Sequence, residues 1–214
     1  QKKVMVTSAL INRLIGSGRD SKDVTRLVGE CYILLEEEEG TELRDAVEFS
    51  TLLNATARYE YSEVGLAICM GDRGDGLARG RKLLLNHRKN LRDGIMLVKN
   101  MGVERMKNFQ YFHAGDKIRD TIIGIVAGMT STYFHRGIPM IAFTSTKGGV
   151  KVSARGTYSL VKKGLNLGNA MSEASGMVGG VGGGHNIAAG ATIPENTEEE
   201  FLIHLERVLE EQVK

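Results

Sequence analysis

The chain has 214 residues, a length that allows one domain or two, each with a proper hydrophobic core. Hydrophobic residues make up 42% and charged residues 25%, and no apolar run approaches the ~18 residues of a membrane span. The net charge of only +2 excludes a global electrostatic field, so any affinity for nucleic acid must come from local patches. Cys31 and Cys69 have no paired spacing, which predicts reduced thiols and a cytoplasmic location.

The first hundred residues show mainly helical patterns. Apolar residues recur at helical spacing within residues 2–15, and a second short helix is predicted to follow with Ser21 as its cap. Another helix opens near Thr41, and the longest runs from Leu77 to Val98. We therefore predict an all-helical connector over residues 1–101.

The longest predicted helix carries a row of cations on one face. Arg81, Arg88 and Arg92 recur at steps of seven and four residues, with Lys82 and Lys89 beside them. We call the three arginines the arginine ridge. The row is either a solvated outer surface or a ridge that contacts phosphates, and the sequence leaves both interpretations open.

After residue 102 the pattern changes to alternating strands and helices. Strands are predicted at residues 109–113, 139–144 and 150–155, and helices at residues 118–129, 167–177 and from about residue 196. Lys147–Gly149 forms a hairpin turn between the last two strands. These elements predict an α/β domain with a mixed sheet over residues 102–214.

Seven of the fifteen residues from Gly176 to Gly190 are glycine, and they surround the single His185. Glycine is unfavourable inside helices and strands, so such a run is typical of a segment that needs unusual backbone angles or exposes bare amides to a ligand. A flexible hinge is the alternative, but the small residues that follow, up to Ala191, favour a smooth packed surface. We interpret the run as a binding loop.

The residues Gly182–Ala191 resemble the signature of the DHH-associated domain, the C-terminal substrate-binding half of the DHH phosphoesterases. In that family a strand with a Ser-x-Arg element precedes the glycine motif, and Ser153 and Arg155 stand in the corresponding place. The helical stretches Glu48–Ala55 and Val64–Ala67 are similar to those of archaeal RecJ-like single-strand exonucleases. The resemblance implies a chain that pairs a helical connector with a DHH-associated domain.

The resemblance also implies which residues form the substrate-binding site. Its substrate-binding residues are Ser153, Arg155, Gly182, Gly183, Gly184, His185 and Asn186, with Lys151 and the arginine ridge as further backbone contacts. A guanidinium suits bidentate phosphate binding, a hydroxyl and an imidazole add donors, and glycine amides add an anion-binding concavity. The predicted chemistry is a clamp on the phosphate–sugar backbone of single-stranded DNA or RNA.

Hydrolysis in this family requires manganese or magnesium in a catalytic domain with an Asp-His-His motif, and this sequence contains no such motif. The chain begins at Gln1 and is interpreted as a piece of a longer protein. We expect no catalytic residue, metal site or cofactor in it, and no phosphodiesterase activity when it is isolated. The expected partners are single-stranded nucleic acid, the protein's own N-terminal DHH catalytic domain and replication or repair proteins, but no membrane.

Two related functions remain open at this point. The same domain occurs, by resemblance, at the C-terminus of alanyl-tRNA synthetases as a tRNA-binding module, where a long coiled-coil pattern precedes it. Oligoribonucleases and cyclic-dinucleotide phosphodiesterases share the Gly-Gly-Gly-His motif but have less helical material. The helical first hundred residues favour the exonuclease interpretation.

Overall fold

The computed structural model describes residues 2–17, 24 and 27–212, and the chain divides into two compact units, Gln1–Asn54 and Ala55–Lys214. In the first unit, helix α1 spans Lys2–Gly16, as its apolar spacing predicts. The predicted cap at Ser21 lies outside the described residues. The proposed functional boundary at residue 102 stays a prediction.

Helix α2 spans Ala46–Arg58 and begins after a side-chain cap. The Oδ1 atom of Asp45 accepts hydrogen bonds from the amides of Val47 at 2.8 Å and Glu48 at 3.1 Å. These two amides would otherwise lack partners, because the first turn of a helix has no carbonyls to accept from them. Asp45 therefore fixes the start of the helix that ends at Arg58.

Two further helices begin the second unit. Helix α3 spans Ser62–Cys69, and α4, with 27 residues, spans Asp75–Met101. The buried face of α4 carries Leu77, Leu84 and Val98 at helical spacing. Gly102 follows α4 with a φ of +79°, a positive backbone angle that glycine adopts more readily than other residues.

A six-stranded mixed sheet forms the centre of the second unit. Its strands are β1 (Glu104–Arg105), β2 (Gln110–His113), β3 (Met140–Thr146), β4 (Gly149–Arg155), β5 (Val181–Gly184) and β6 (Ala188–Ile193), in the order β1-β2-β3-β4-β6-β5. Strands β2 and β3 are parallel, and every other pair is antiparallel. The prediction of a helical region followed by an α/β domain with a mixed sheet is confirmed.

Helices cover both faces of the sheet. They are α5 (Ile123–Thr130), α6 (Tyr158–Val161), α7 (Leu167–Met177) and α8 (Glu198–Gln212). On one face, Val150, Val152 and Ala154 of β4 belong to a core shared with α7 and α8. On the other face, Met140 and Ala142 of β3 belong to a second core shared with α4 and α5.

The sequence-based prediction of a glycine loop is wrong for residues 181–184, which form the edge strand β5 and pair with β6. The reason is packing against α7. A Cβ atom added at Gly182 would lie 2.6 Å from the Met171 carbonyl oxygen and 2.7 Å from Oγ of Ser175. Glycine therefore lets the helix approach the strand backbone, which compensates for its low strand preference.

The predicted helix at residues 118–129 is also corrected, because α5 begins only at Ile123. Residues 118–122 form turns that lead into the helix, and Ile118 and Ile122 are nevertheless buried. Among the described residues, no helix is long and apolar enough to cross a membrane.

Candidate functional site

The polar residues of β4 share one face of the sheet. Lys151, Ser153 and Arg155 alternate with the core residues of the same strand, because successive side chains of a strand point to opposite faces. Ser153 pairs with Ala142 on β3 and with Gly190 on β6, so it lies in the middle of the sheet. It is only 6% exposed.

These residues line a cleft of about 350 Å³, which we call the basic cleft. Its floor is the part of the sheet formed by β4, β6 and β5, and its wall is the start of α5 with the turn before it. The lining residues are Arg58, Asp120, Thr121, Gly124, Ile125, Lys151, Ser153, Arg155, Gly183, Gly184, Ala188, Ala189 and Gly190. The structure therefore brings Lys151, Ser153 and Arg155 together with two of the predicted glycines.

Arg155 is held by backbone carbonyls. Its Nη1 atom donates to the carbonyl oxygens of Ala154 at 2.8 Å and Ala189 at 3.3 Å, and its Nη2 and Nε atoms make no hydrogen bond with the described residues. Burial lowers the pKa of Arg155, and the positive charge of Arg58 lowers it further. An anion in the cleft would oppose both effects on the pKa, because a nearby negative charge stabilises the charged guanidinium.

Arg58 is a site residue that sequence reasoning misses. Its local pattern, one turn from Asn54, favours capping or surface exposure over contact with a partner, and nothing in that pattern points to the cleft. In the structure its Nη1 atom donates to the Thr121 carbonyl at 2.5 Å. Among the described residues, no carboxylate forms an ion pair with Arg58 or Arg155. The cleft thus contains two guanidinium groups that form no ion pair with the described residues, although the Asp120 carboxylate also lines it.

The wall before α5 adds polar groups. The Oδ1 atom of Asp120 accepts a hydrogen bond from the Thr121 amide at 2.8 Å, which fixes this carboxylate at the cleft. The Oγ1 atom of Thr121 is buried and has no hydrogen-bond partner among the described residues. A ligand hydroxyl or oxygen could satisfy it, because unpaired buried hydroxyls are costly.

The residues of the glycine–histidine motif, Gly182–Asn186, lie in three different environments. Gly183 pairs with Gly190, and the two residues give the cleft floor a patch without side chains. Gly184 also lines the cleft. Gly182 lies on the opposite face of the sheet against α7. His185 and Asn186 are exposed in the turn between β5 and β6, outside the lining of the cleft.

The arginine ridge lies elsewhere on the molecule's surface. Arg81, Arg88 and Arg92 are on α4, and none of them lines the basic cleft. Arg92 forms an ion pair with Asp93 at 3.3 Å, and both side chains are more than half exposed. Such exposed pairs contribute little to stability. The structure does not bring the ridge and the cleft together.

The metal that the family resemblance implies does not fit this part of the protein. Among the described residues, no group of three or more His, Cys, Asp or Glu side chains could hold a metal ion. The basic cleft contains a single carboxylate, that of Asp120, beside two guanidinium groups. Divalent magnesium and manganese prefer several oxygen ligands, so no step is assigned to a metal here.

The fold is that of an α/β domain seen in RecJ exonucleases. RecJ in complex with Mn²⁺ from Thermus thermophilus superposes with a TM-score of 0.62 at 16% identity, over 78% of this chain and 24% of that one. A second structure, of exonuclease RecJ bound to manganese, gives a TM-score of 0.60 at 16% identity over 77% and 40% of the chains. At these identities the similarity is one of fold.

Sequence similarity identifies the family. Residues 106–211 match the family model described as the DHHA1 domain. The uncharacterized protein MJ0831 of Methanocaldococcus jannaschii is 33% identical over 172 residues, which are 80% of this chain and 37% of that protein. The chain thus spans little more than a third of this curated relative.

Proposed function

We propose that this DHHA1 domain binds single-stranded DNA or RNA by its phosphate–sugar backbone, as the substrate-binding part of a DHH-family phosphodiesterase. The observation that carries the proposal is the basic cleft. There Ser153, Arg155 and Arg58 lie beside a floor of bare glycine backbone, and no described carboxylate forms an ion pair with either guanidinium group. The exonuclease names of the structural relatives support the same class of ligand.

Each group has a role in the proposed complex. Arg155 is oriented by two carbonyls through Nη1, so Nη2 and Nε are its donors toward a phosphate. Lys151 and Arg58 add positive charge from two sides, and the Ser153 hydroxyl adds a neutral donor. The Asp120 carboxylate suits a sugar hydroxyl. The glycine floor allows the sugar to approach the sheet backbone closely.

His185 and Asn186 contribute from the turn at the end of β5. We propose that they contact the strand where it leaves the cleft, because both are exposed beside the lining residue Gly184. The arginine ridge adds affinity that does not depend on sequence. Gly182 stabilises the packing of β5 on α7 and does not touch the ligand.

The partners follow from the same proposal. The strand is delivered to the protein's own N-terminal DHH catalytic domain, which supplies manganese or magnesium and the hydrolysis itself. Replication or repair proteins are further partners that we propose from the resemblance. The described residues provide binding and orientation.

The test is binding of labelled oligothymidylate and oligouridylate to the purified chain, measured by fluorescence anisotropy. Arg155→Ala should weaken binding by about 10- to 100-fold, because a charge-assisted hydrogen bond contributes ~1.5–3 kcal/mol. Arg207→Ala, which removes an arginine of α8 outside the cleft, is the matched control and should bind like the parent.

Competition separates the alternatives. A short single strand should displace the label more effectively than intact tRNA does. Preferential displacement by tRNA would instead support the synthetase-type module. If a dinucleotide displaces the label and longer strands do not, the result would support an oligoribonuclease-type site. Unchanged binding by Arg155→Ala would overturn the proposal.

A further inference from the structure

A second cavity, separate from the basic cleft, lies where the start of α3 faces the first half of α4. It has a volume of about 320 Å³ and is lined by Tyr61, Arg79, Lys82, Leu83 and Asn86. We call it the tyrosine pocket. It shares no lining residue with the basic cleft.

The helix geometry of α4 explains how the pocket is built. Arg79, Lys82 and Asn86 are three and four residues apart, so their side chains lie on one face of the helix. Leu83 is partly buried and adds apolar surface beside them. Tyr61 stands just before α3 and is 44% exposed, so its ring lines the pocket while it remains accessible.

The polar groups of the pocket are available to a ligand. Tyr61, Lys82 and Asn86 make no side-chain hydrogen bond, ion pair or ring contact with the described residues. Arg79 forms an ion pair with Glu63 at 3.5 Å, but the two side chains are 59% and 63% exposed. Solvent screens such a pair, so a phosphate could compete for Arg79.

We propose that the tyrosine pocket binds one nucleobase and its adjoining phosphate from a single strand. Tyr61 offers a π-face on which an unstacked base can stack, and the Asn86 amide can both donate to and accept from a base edge. Lys82 and Arg79 supply positive charge for the phosphate. An acidic peptide would use the cations but not the ring and amide together, so the nucleotide fits the lining better. The identity of the strand rests on the proposed function.

The position of the pocket along α4 predicts a dependence on strand length. Helix α4 contacts α5 at Gly94, where a Cβ atom would lie 3.0 Å from Cγ2 of Val126. Lys82 is twelve residues earlier, which is ~18 Å along the helix at 1.5 Å per residue. Because α5 also walls the basic cleft, a strand that occupies both sites must be longer than a dinucleotide, since stacked nucleotides advance only ~3.4 Å each.

The experiment measures binding of oligothymidylates of two and of twelve nucleotides to the parent chain, Tyr61→Ala, Tyr61→Phe and Lys82→Gln. Tyr61→Ala should weaken the binding of the longer strand by about 5- to 100-fold, the range found when stacking on one aromatic ring is removed. Lys82→Gln should also weaken it, because the phosphate loses a cation. Tyr61→Phe keeps the ring and should bind like the parent. Leu85→Ala, at a residue of α4 that is 65% exposed and outside the pocket, is the control.

The dinucleotide distinguishes this inference from the proposed function. It should bind Tyr61→Ala as tightly as it binds the parent, because it reaches only the basic cleft. If Tyr61→Ala binds the longer strand like the parent while Arg155→Ala does not, the tyrosine pocket is not a subsite and the cleft remains. If Tyr61→Phe loses as much affinity as Tyr61→Ala, the hydroxyl and not stacking is responsible, which also overturns the proposal.

Discussion

Gly124 of α5 lies directly against the guanidinium of Arg155: a Cβ atom at Gly124 would be 2.2 Å from Nη2 and 2.9 Å from Cζ. Helix α5 and the Arg155 side chain therefore pack so closely that a methyl group at position 124 would not fit between them. This contact sets the position of the donors that Arg155 presents to the basic cleft.

We predict that Gly124→Ala displaces the Arg155 guanidinium and weakens oligonucleotide binding by about tenfold or more, a loss comparable with one charge-assisted hydrogen bond. Gly128→Ala is the matched control, because a Cβ atom there would lie 3.8 Å from Cγ of Arg155, an ordinary contact. Anisotropy measurements on the two variants test this prediction. Equal affinities for both variants would show that Arg155 adjusts without loss.

Gly182→Ala should destabilise the fold and leave the chemistry of the cleft intact. The added methyl group would meet the Met171 carbonyl at 2.6 Å, and overpacking of this kind costs ~1–3 kcal/mol in the free energy of unfolding. Gly176→Ala in α7 is the comparison, since nothing lies within 4 Å of its Cβ position. Urea unfolding should show a lower midpoint for Gly182→Ala alone. A midpoint at the parental value would mean that α7 moves away from β5 at no cost.

The arginine ridge should contribute through phosphate charge. If Arg81, Arg88 and Arg92 each contact a phosphate, replacing all three with alanine lowers the slope of log K against log salt by about 2, at ~0.7 per contact for single strands. The slope is obtained from binding titrations at several salt concentrations. A parental slope in the triple variant would identify the ridge as solvated surface.

Two histidines with lowered pKa values, the buried His87 and the more exposed His113, should make stability depend on pH. Burial lowers the pKa of His87, with Arg58 lowering it further, and burial lowers the pKa of His113 against the opposing charges of Glu198 and Glu104. Below the ordinary value of 6.5, the unfolded state therefore binds protons that the folded state does not. The free energy of unfolding should decrease as the pH falls through this window.

The measurement is urea unfolding at about pH 7.5 and 5.5, on either side of the ordinary histidine pKa. His87→Phe removes one titrating group and should show a smaller difference between the two pH values than the parent does. It also removes Nδ1 of His87, a buried atom that has no hydrogen-bond partner among the described residues. An identical difference in parent and variant would contradict the role assigned to His87.

The sequence is sufficient for the elements whose pattern is local. The alternation in residues 150–155 predicts both strand β4 and the shared face of Lys151, Ser153 and Arg155. Sequence patterns fail where tertiary contacts decide. The glycines of residues 181–184 suggest a loop, and they form strand β5 because they allow α7 to pack closely against it, which the local sequence does not reveal. Arg58 is not predicted as a site residue because it meets Thr121 only in the folded chain.

Strand β4 carries the hydrophobic core on one face and the proposed ligand contacts on the other, and it is paired along both edges. Deleting or inserting a single residue in the turn at residues 147–148, between β3 and β4, would invert every side chain of the strand. Arg155 would then enter the interior, and Val152 would face the cleft. Single substitutions in β4 can therefore alter the core or the cleft separately. A change in the length of the hairpin would disturb folding and ligand binding together.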